Sequence, residues 1–327
     1  MDSKERNEGQ IAAACFSSVC SVFLLYCFYA FPHWREDPFG TKHVLLVLTL
    51  FNLGASLNYV VFHPISSDGE VTSRGLCYLQ SGTMQIFELG GSWLWTAIFS
   101  FEVARFGCKS LSEALVNRVT RAQSSINRPG IFSPHEIYKR RTLFFYHLGS
   151  FVWITVPTVL LFSLGASGPA GNWCWTSSSD WIMYSYICLW LEFFVILVAS
   201  IVVSRLVFKT RAKQHNHDNQ ARLVDIVIAQ RLMLVPLMYI LLHVPGTIRR
   251  LDKIWGKPAG DTTKFLQGIC DPSQGTVNLI SMLIIDRNLR KELVESFCKC
   301  SSSIRCQRRE DWDEPETSVI SMGSTTA

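Results

Sequence analysis

Residues 181–208 read WIMYSYICLWLEFFVILVASIVVSRLVF, an apolar stretch whose only charged side chains are Glu192 and Arg205. At a rise of about 1.5 Å per residue, a helix of this length exceeds the roughly 30 Å of a hydrocarbon core. Lipid offers backbone N–H and C=O groups no hydrogen-bond partner, so the stretch is predicted to be helical. Six further stretches have the same character, and they lie at residues 11–31, 43–62, 79–106, 143–165, 232–248 and 263–285.

Seven spans predict an all-α membrane protein, a seven-transmembrane helix bundle with its two ends on opposite sides of the bilayer. We expect residues 1–10 to be an extracellular N-terminus and residues 11–285 to form the bundle. Residues 286–297 place Leu289, Leu293 and Phe297 on one face, which predicts a short amphipathic eighth helix. For residues 298–327, which become acidic from Glu310 to Glu316 and are rich in Ser and Thr, we expect a disordered cytoplasmic tail.

The charge distribution sets the predicted orientation. The chain carries 31 Lys and Arg and a net charge of +5, and most of the basic residues flank the spans on one side. The positive-inside bias makes that side cytoplasmic, so we expect a multi-pass protein of the plasma membrane with its N-terminus outside. Arg249, Arg250 and Lys253 run against this bias, in a predicted external loop. We expect the basic clusters to face anionic lipid and a cytosolic partner, and not nucleic acid.

The eleven cysteines fall into groups by predicted position. Cys77 and Cys174 lie at the outer face, where an oxidising compartment permits a disulfide; the alternative is a pair of unrelated thiols. Cys298 and Cys300 follow the predicted eighth helix, where palmitate would hold the segment at the inner leaflet.

Four ionisable side chains interrupt the spans at similar predicted depths, and these groups avoid lipid. Glu88 lies roughly 16 Å below Cys77 at the helical rise, near the midplane, and Glu192 reaches a similar depth. His243 and Asp271 are shallower. We interpret the four as lining one cavity open to the outside; the alternative is that some pair with each other or serve as structural hydrogen-bonding groups.

Glu102 and Arg105 lie at the predicted cytoplasmic edge of the third span. Their spacing of three residues allows an ion pair on one helix face. One interpretation is a lock that opens when the bundle rearranges; the other is a pair that ends the helix by reaching for water. Proline interrupts the fourth, sixth and seventh spans, which permits kinks at Pro157, Pro236, Pro245 and Pro272.

Three segments resemble a known receptor family. Gly171-Asn172-Trp173-Cys174-Trp175-Thr176 resembles the second outer loop of the cyclic-AMP-receptor-like receptors. Gly246-Thr247-Ile248-Arg249-Arg250-Leu251 resembles the end of their sixth span, with Arg249 where the plant branch usually has Asn. Gln274-Gly275-Thr276-Val277-Asn278 resembles their seventh span, and Leu94-Trp95-Thr96 extends the resemblance to the third. It implies a G-protein-coupled receptor with a bridge between Cys77 and Cys174.

A receptor is therefore our first hypothesis. It would take an unknown small external ligand, act on a heterotrimeric G protein and meet kinase or arrestin-like partners at its tail; we expect no catalytic residue, cofactor or metal. The predicted ligand-binding residues are Glu88, Glu192, His243, Arg250 and Asp271. The predicted G-protein-coupling residues are Glu102, Arg105, Lys209, Arg211, Arg222 and Arg231.

Two other classes remain open. In a cation- or proton-coupled transporter, Glu88 and Glu192 would relay the ion, although such proteins often contain repeated halves. In a zinc hydrolase, His63, His147 and His243 would be ligands, although they lack a paired spacing such as His-Glu-x-x-His. The charge of the ligand also stays open, because carboxylates suit a cation whereas Arg249, Arg250 and Lys253 would attract an anion.

Overall fold

The computed structural model describes residues 3–31, 41–66, 74–120, 134–169, 174–176, 179–211, 229–257 and 260–300. Five of its long helices are continuous. They are α1 (Ser3–Ala30), α2 (Thr41–Ser66), α4 (Pro134–Ser163), α5 (Ser179–Arg211) and α6 (Leu234–Ile254).

The third and seventh helices each contain a change of helical type. Helix α3 consists of Arg74–Met84, a π-helical segment Gln85–Ser92, and Trp93–Thr120. Helix α7 consists of Asp261–Cys270, a 3₁₀ turn Asp271–Ser273, and Gln274–Ile285.

The interruptions lie next to the ionisable residues of α3 and α7. Pro272 has no backbone N–H to donate, which favours a local departure from α-helical bonding. Five described helices are long and apolar enough to cross a membrane, within Glu8–Ala30, His43–Phe62, Arg141–Ser163, Ile187–Lys209 and Ala229–Asp252. Helices α3 and α7 complete the set of seven.

Several predicted boundaries were wrong. The supposed external loop after residue 248 is helical, because α6 continues to Ile254 and contains Arg249 and Arg250. Residues 107–120, expected in a cytoplasmic loop, extend α3. The eighth helix, α8 (Arg287–Cys300), extends past residue 297 into the predicted tail. Charged residues such as Arg, Lys and Glu are good helix formers, so a helix does not end where its apolar stretch does.

A short β-hairpin, which the sequence reasoning did not predict, is fastened to the start of α3. Strands β1 (Ser167–Pro169) and β2 (Cys174–Thr176) pair antiparallel. A disulfide joins Cys77 to Cys174, which confirms the predicted bridge. The backbone N–H of Cys174 also donates to Gln80 Oε1 at 2.8 Å, so the hairpin is held at two neighbouring points. We call this the hairpin end of the bundle.

Helices α2 and α3 approach closely through two reciprocal contacts. The ring of Phe51 lies against Gly91, and the ring of Phe87 lies against Gly54. The two ring centroids are 6.3 Å apart. A Cβ atom at either glycine would overlap the opposing ring. Glycine is therefore required at both positions by the interhelical spacing, as at small-residue contacts in membrane bundles generally.

A buried hydrogen-bond network joins α1, α2, α3 and α7. Ser92 Oγ contacts Asn52 Oδ1 and lies 2.6 Å from Gln274 Oε1. The backbone N–H of Gly275 donates to Ser17 Oγ at 3.0 Å. These bonds hold the segment of α7 around Gln274 and Gly275 against α1, α2 and α3.

Residues 286–327 form a unit separate from residues 1–285. Within it, Asp286 Oδ1 accepts a hydrogen bond of 3.1 Å from the backbone N–H of Leu289. This contact satisfies a donor of the first turn of α8, as an N-cap aspartate does. The tail beyond residue 300 lies outside the described residues.

Candidate functional site

A small cavity opens near the hairpin end, between α2, α3, α5, α6, α7 and the hairpin. Its polar wall consists of Tyr59, Glu88, His243, Arg250, Gln267 and Asp271. Its apolar wall consists of Met84, Leu89, Trp93, Trp175 and Leu189, together with Gly246. A concave apolar surface with a few converging polar groups is typical of small-ligand sites.

Glu88 is placed in the cavity by the π-helical segment of α3. The backbone N–H of Trp93 bonds to the carbonyl of Glu88 across five residues, and this wider turn alters the direction in which the side chain leaves the helix. Tyr59 of α2 donates its hydroxyl hydrogen to Glu88 Oε2 at 3.1 Å. The Glu88 side chain is buried, so this bond stabilises a group that has lost its hydration.

Asp271 lies at the point where α7 changes from α to 3₁₀ geometry. Gln267, one turn earlier, donates its Nε2–H to Asp271 Oδ2 at 2.9 Å. Nδ1 of His243 lies 3.4 Å from Asp271 Oδ1. The His243 ring is held between Trp93 and Tyr239, whose ring centroids lie 5.5 and 4.5 Å from it. Asp271 and His243 therefore connect α7 to α6 at the floor of the cavity, the end away from the hairpin.

Arg250 forms the upper wall of the cavity, two turns beyond His243 on α6. Its guanidinium carbon lies 4.7 Å from the ring centroid of Trp175, a cation–π contact with the hairpin. The neighbouring Arg249 donates from Nη1 to Gln267 Oε1 at 2.9 Å. Gln267 therefore accepts a hydrogen bond from Arg249 through its oxygen and donates one to Asp271 through its nitrogen. It connects the part of the cavity near the hairpin to the deeper part.

The structure brings together four of the five residues predicted to bind ligand. Glu88, His243, Arg250 and Asp271 all line the cavity, whereas Glu192 does not. Glu192 is buried on α5, and neither of its carboxylate oxygens has a hydrogen-bond partner among the described residues. Depth counted along a helix gives height in the membrane but not the direction of the side chain, which is why Glu192 was placed in the shared site.

Other lining residues were missed in the sequence reasoning. Gln267 precedes Asp271 by one helical turn, a spacing that would have identified it. Trp175 lies in the loop segment whose resemblance was noted, but its position over the cavity depends on the hairpin. Nothing in the sequence singles out Tyr59, because an aromatic residue in a membrane span usually packs against neighbouring helices.

A second polar cluster lies on α3, further from the hairpin than the cavity. Arg105 donates from Nη1 to Glu102 Oε1 at 2.7 Å. Tyr146 of α4 donates its hydroxyl hydrogen to the same oxygen. The Glu102 side chain is 7% exposed and that of Arg105 is 31% exposed. The predicted ion pair is therefore present, and Tyr146 is a third member that the sequence did not indicate.

The structure does not gather the remaining predicted coupling residues into a described cluster. Lys209 and Arg231 are exposed on their helical segments. Arg211 is the last residue of α5, and Arg222 lies outside the described residues. Cys298 and Cys300 lie in the last turn of α8.

Among the described residues, no group of three or more His, Cys, Asp and Glu side chains is arranged to hold a metal ion. His43 of α2 and His147 of α4 form a pair whose Nε2 atoms are 2.9 Å apart. That distance is a hydrogen bond between two imidazoles, one of which donates. The contact joins α2 to α4.

No protein-family model matches the chain. The mouse protein G-protein coupled receptor 157 is 26% identical over 310 residues, which cover 89% of this chain and 85% of that protein. The rat protein of the same name is 24% identical over the same coverage. The crystal structure of squid rhodopsin superposes with a TM-score of 0.65 at 13% identity, covering 93% of this chain and 88% of that one. The chain therefore has the rhodopsin fold, which confirms the predicted seven-helix membrane bundle.

Proposed function

We propose that this chain is a G-protein-coupled receptor that binds a small external ligand in the cavity of Glu88, His243, Arg250 and Asp271. The observation that carries the proposal is the placement of two polar clusters on one helix. Glu88 lines the cavity near the hairpin end of α3, and Glu102 anchors the second cluster further along the same helix, away from the hairpin. Its similarity to proteins named as G-protein coupled receptors supports the same reading.

Ligand binding would act on α6 and α7, since both contribute charged residues to the cavity. Helix α6 contains Pro245 next to Gly246 of the cavity wall, and α7 contains Pro272 next to Asp271. A ligand shifts a conformational equilibrium only through different affinity for the two states. A ligand that replaces the contact between His243 and Asp271 would provide that difference, because this contact holds the two helices together.

The cluster of Glu102, Arg105 and Tyr146 is the proposed switch on the cytoplasmic side. In the proposed inactive state, the carboxylate of Glu102 accepts a hydrogen bond from the guanidinium of Arg105. Movement of α3 relative to α4 would separate Tyr146 from Glu102 and make the pair of Glu102 and Arg105 accessible to the G protein. Lys209, Arg211, Arg222 and Arg231 are proposed as further basic contacts for the G protein, on a face where positive charge is expected.

The resemblance around Cys174 and Arg250 supports membership in the cyclic-AMP-receptor-like branch. In this proposal the protein lies in the plasma membrane with its N-terminus outside and α8 on the cytoplasmic side. Lipidation at Cys298 and Cys300 would anchor α8, and phosphorylation of the Ser-rich tail would add negative charge and recruit kinase or arrestin-like partners.

The decisive experiment is nucleotide exchange on purified heterotrimeric G proteins by the receptor in lipid nanodiscs. We expect exchange above the receptor-free rate, and we expect Arg105→Ala to reduce it about tenfold or more. Lys264→Ala is the matched control, because Lys264 forms an acid–base pair of the same i, i+3 spacing with Asp261 on the surface at 3.0 Å. Equal exchange by Arg105→Ala and wild type, at equal receptor amounts, would contradict the proposal.

A transporter would give a different set of results. Its flux in proteoliposomes would depend on Glu192, the buried carboxyl group that lies outside the cavity. Ion or proton flux that disappears in Glu192→Gln, with no nucleotide exchange by wild type, would replace the receptor proposal.

A further inference from the structure

We infer that the cavity binds protons from the external side, and that a proton on His243 stabilises the inactive state of the protein. This inference rests on the proposed function, because it names the regulation of the same site and takes the hairpin end as external. It follows from the size of the cavity, from the orientation of the His243 ring and from the contact of that ring with Asp271.

The cavity is small. Its volume of about 20 Å³ gives room for about one water molecule, which needs roughly 10–15 Å³. An organic molecule enters only when the helices move apart. A proton, in contrast, reaches the lining groups without such a movement, because water carries it. In this arrangement of the helices the cavity is therefore suited to a proton as its external effector.

The His243 ring is fixed with one nitrogen toward Asp271. Nδ1 lies 3.4 Å from Asp271 Oδ1, and the rings of Trp93 and Tyr239 enclose the imidazole. Because the oxygens of a carboxylate accept hydrogens and do not donate them, the hydrogen of the neutral ring is assigned to Nδ1. The lone pair is then on Nε2, a buried atom that has no hydrogen-bond partner among the described residues. Nε2 is therefore the atom that takes up the proton.

Protonation strengthens the contact between α6 and α7. It converts a neutral ring beside the carboxylate of Asp271 into an ion pair of two buried side chains, where charges are screened less than in water. The proton is thus bound more tightly in the state that keeps His243 against Asp271, and it shifts the equilibrium toward that state. The stabilisation is present while the ring is charged and is lost as the pH rises. Protons therefore oppose a ligand that replaces this contact.

The charged group in contact with His243 is an acid, and the nearby basic groups are further away. Besides Asp271, the titratable and charged side chains described around the ring come from α2, α3, α6 and α7, and they are Tyr59, Glu88, Tyr239, Arg249, Arg250 and Cys270.

Arg250 follows His243 by seven residues, roughly 10 Å along α6 at the helical rise, and it interacts electrostatically with Glu88. Helix α5 and the hairpin contribute Leu189 and Trp175 to the wall, and neither side chain titrates. Glu88 is the competing acid for the proton, so the experiment includes it.

The test measures basal G-protein activation by the full-length protein in intact cells, after subtraction of cells without it. External pH is varied from about 5 to about 8, the range in which histidine changes charge, while cytosolic pH is held constant. We expect activation to be about fivefold higher at the alkaline end, a typical coupling between two sites. His243→Gln, which never gains a charge, should be active at both ends. His147→Gln is the matched control and should retain the pH dependence, because His147 does not line the cavity.

The Tm of the purified protein, without G protein, separates the proton site from the receptor function. Wild type should be stabilised relative to His243→Gln at acid pH, and this difference should disappear toward about pH 8, because the ion pair needs a charged ring. If His243→Gln fails to fold, Asp271→Asn tests the same pair by removing its negative charge.

A pH-dependent difference in Tm without any G-protein activation would support the proton site and reject the receptor function. Activation by wild type that does not vary with external pH, or the absence of a pH-dependent difference in Tm, would overturn the inference. So would a pH dependence that persists in His243→Gln and disappears in Glu88→Gln, because the proton would then be bound at Glu88.

Discussion

Nδ1 of His243 lies 3.4 Å from Oδ1 of Asp271, and this contact joins α6 to α7 at the floor of the cavity. Both side chains are nearly inaccessible, at 4% and 7% exposure. Each is held by a second group: Gln267 donates to Asp271, and the rings of Trp93 and Tyr239 enclose His243. The pair is therefore a restrained connection between the two proline-containing helices that face the ligand.

Asp271→Asn should raise basal nucleotide exchange. The substitution keeps the size of the side chain but weakens its attraction to His243, so α6 is held less firmly against α7. Loss of about 1 kcal/mol of coupling, the low end of typical coupling free energies between two sites, corresponds to roughly a fivefold rise in the active population when that population is small. Exchange without ligand measures it, and Glu192→Gln should leave the basal rate unchanged. A basal rate in Asp271→Asn equal to wild type would show that the pair does not restrain the inactive state.

The sequence predicted the helices better than the cavity. Lipid leaves a spanning chain few alternatives to the helix, so blocks of apolar residues were enough to count seven spans. The ends of α6 and α8 were placed too early, because the boundary of an apolar block marks the edge of lipid and not the end of helical hydrogen bonding. Arg250 was consequently assigned to a loop, although it was also proposed as a ligand-binding residue.

The direction of a side chain around its helix was harder to predict than its depth. Glu88 and Glu192 lie at similar predicted depths, yet only Glu88 lines the cavity. The direction of Glu88 depends on the π-helical segment Gln85–Ser92, and a regular helix was assumed in counting. The position of Trp175 depends on a hairpin held by contacts that are distant in sequence, including Cys77 with Cys174.

Cys174→Ser should destabilise the hairpin end of the protein. The bridge spans 97 residues, and removing it releases a long loop in the unfolded chain, an effect of about 2–4 kcal/mol for typical disulfides. Trp175 would then lose its fixed position beside Arg250. Thermal unfolding in nanodiscs measures the change, with Cys108→Ser as the control, since Cys108 is an exposed free cysteine. Equal Tm for the two variants would contradict this role of the bridge.

Gly275→Ala should destabilise the contact between α7 and α1. A Cβ at this position would lie 2.6 Å from the carbonyl oxygen of Ser17 and would also meet Ser21 Oγ. Overpacking of this kind destabilises by about 1–3 kcal/mol. Gly149→Ala is the matched control, because a Cβ there has no atom within 4 Å among the described residues. It should be neutral or stabilising by up to about 1 kcal/mol, since alanine is the better helix former.

Tyr146→Phe should raise basal nucleotide exchange by releasing the cluster on α3. The substitution removes only the hydroxyl that donates to Glu102 Oε1, and hydrogen bonds to charged groups contribute about 1.5–3 kcal/mol. Arg105 would keep its own bond to Glu102, so coupling is preserved while the link from α3 to α4 is lost. We expect basal exchange to rise about tenfold. Tyr26→Phe is the control, since Tyr26 is 59% exposed on α1.

The double variant Tyr146→Phe with Arg105→Ala separates the two roles. If Tyr146 acts only by controlling the access of Arg105 to the G protein, the double variant should exchange nucleotide as slowly as Arg105→Ala alone. Additive behaviour, with exchange between the two single variants, would mean that Tyr146 restrains the inactive state independently of Arg105. A fall in basal exchange in Tyr146→Phe alone would reverse its assignment, because the hydroxyl would then support the active arrangement of the cluster.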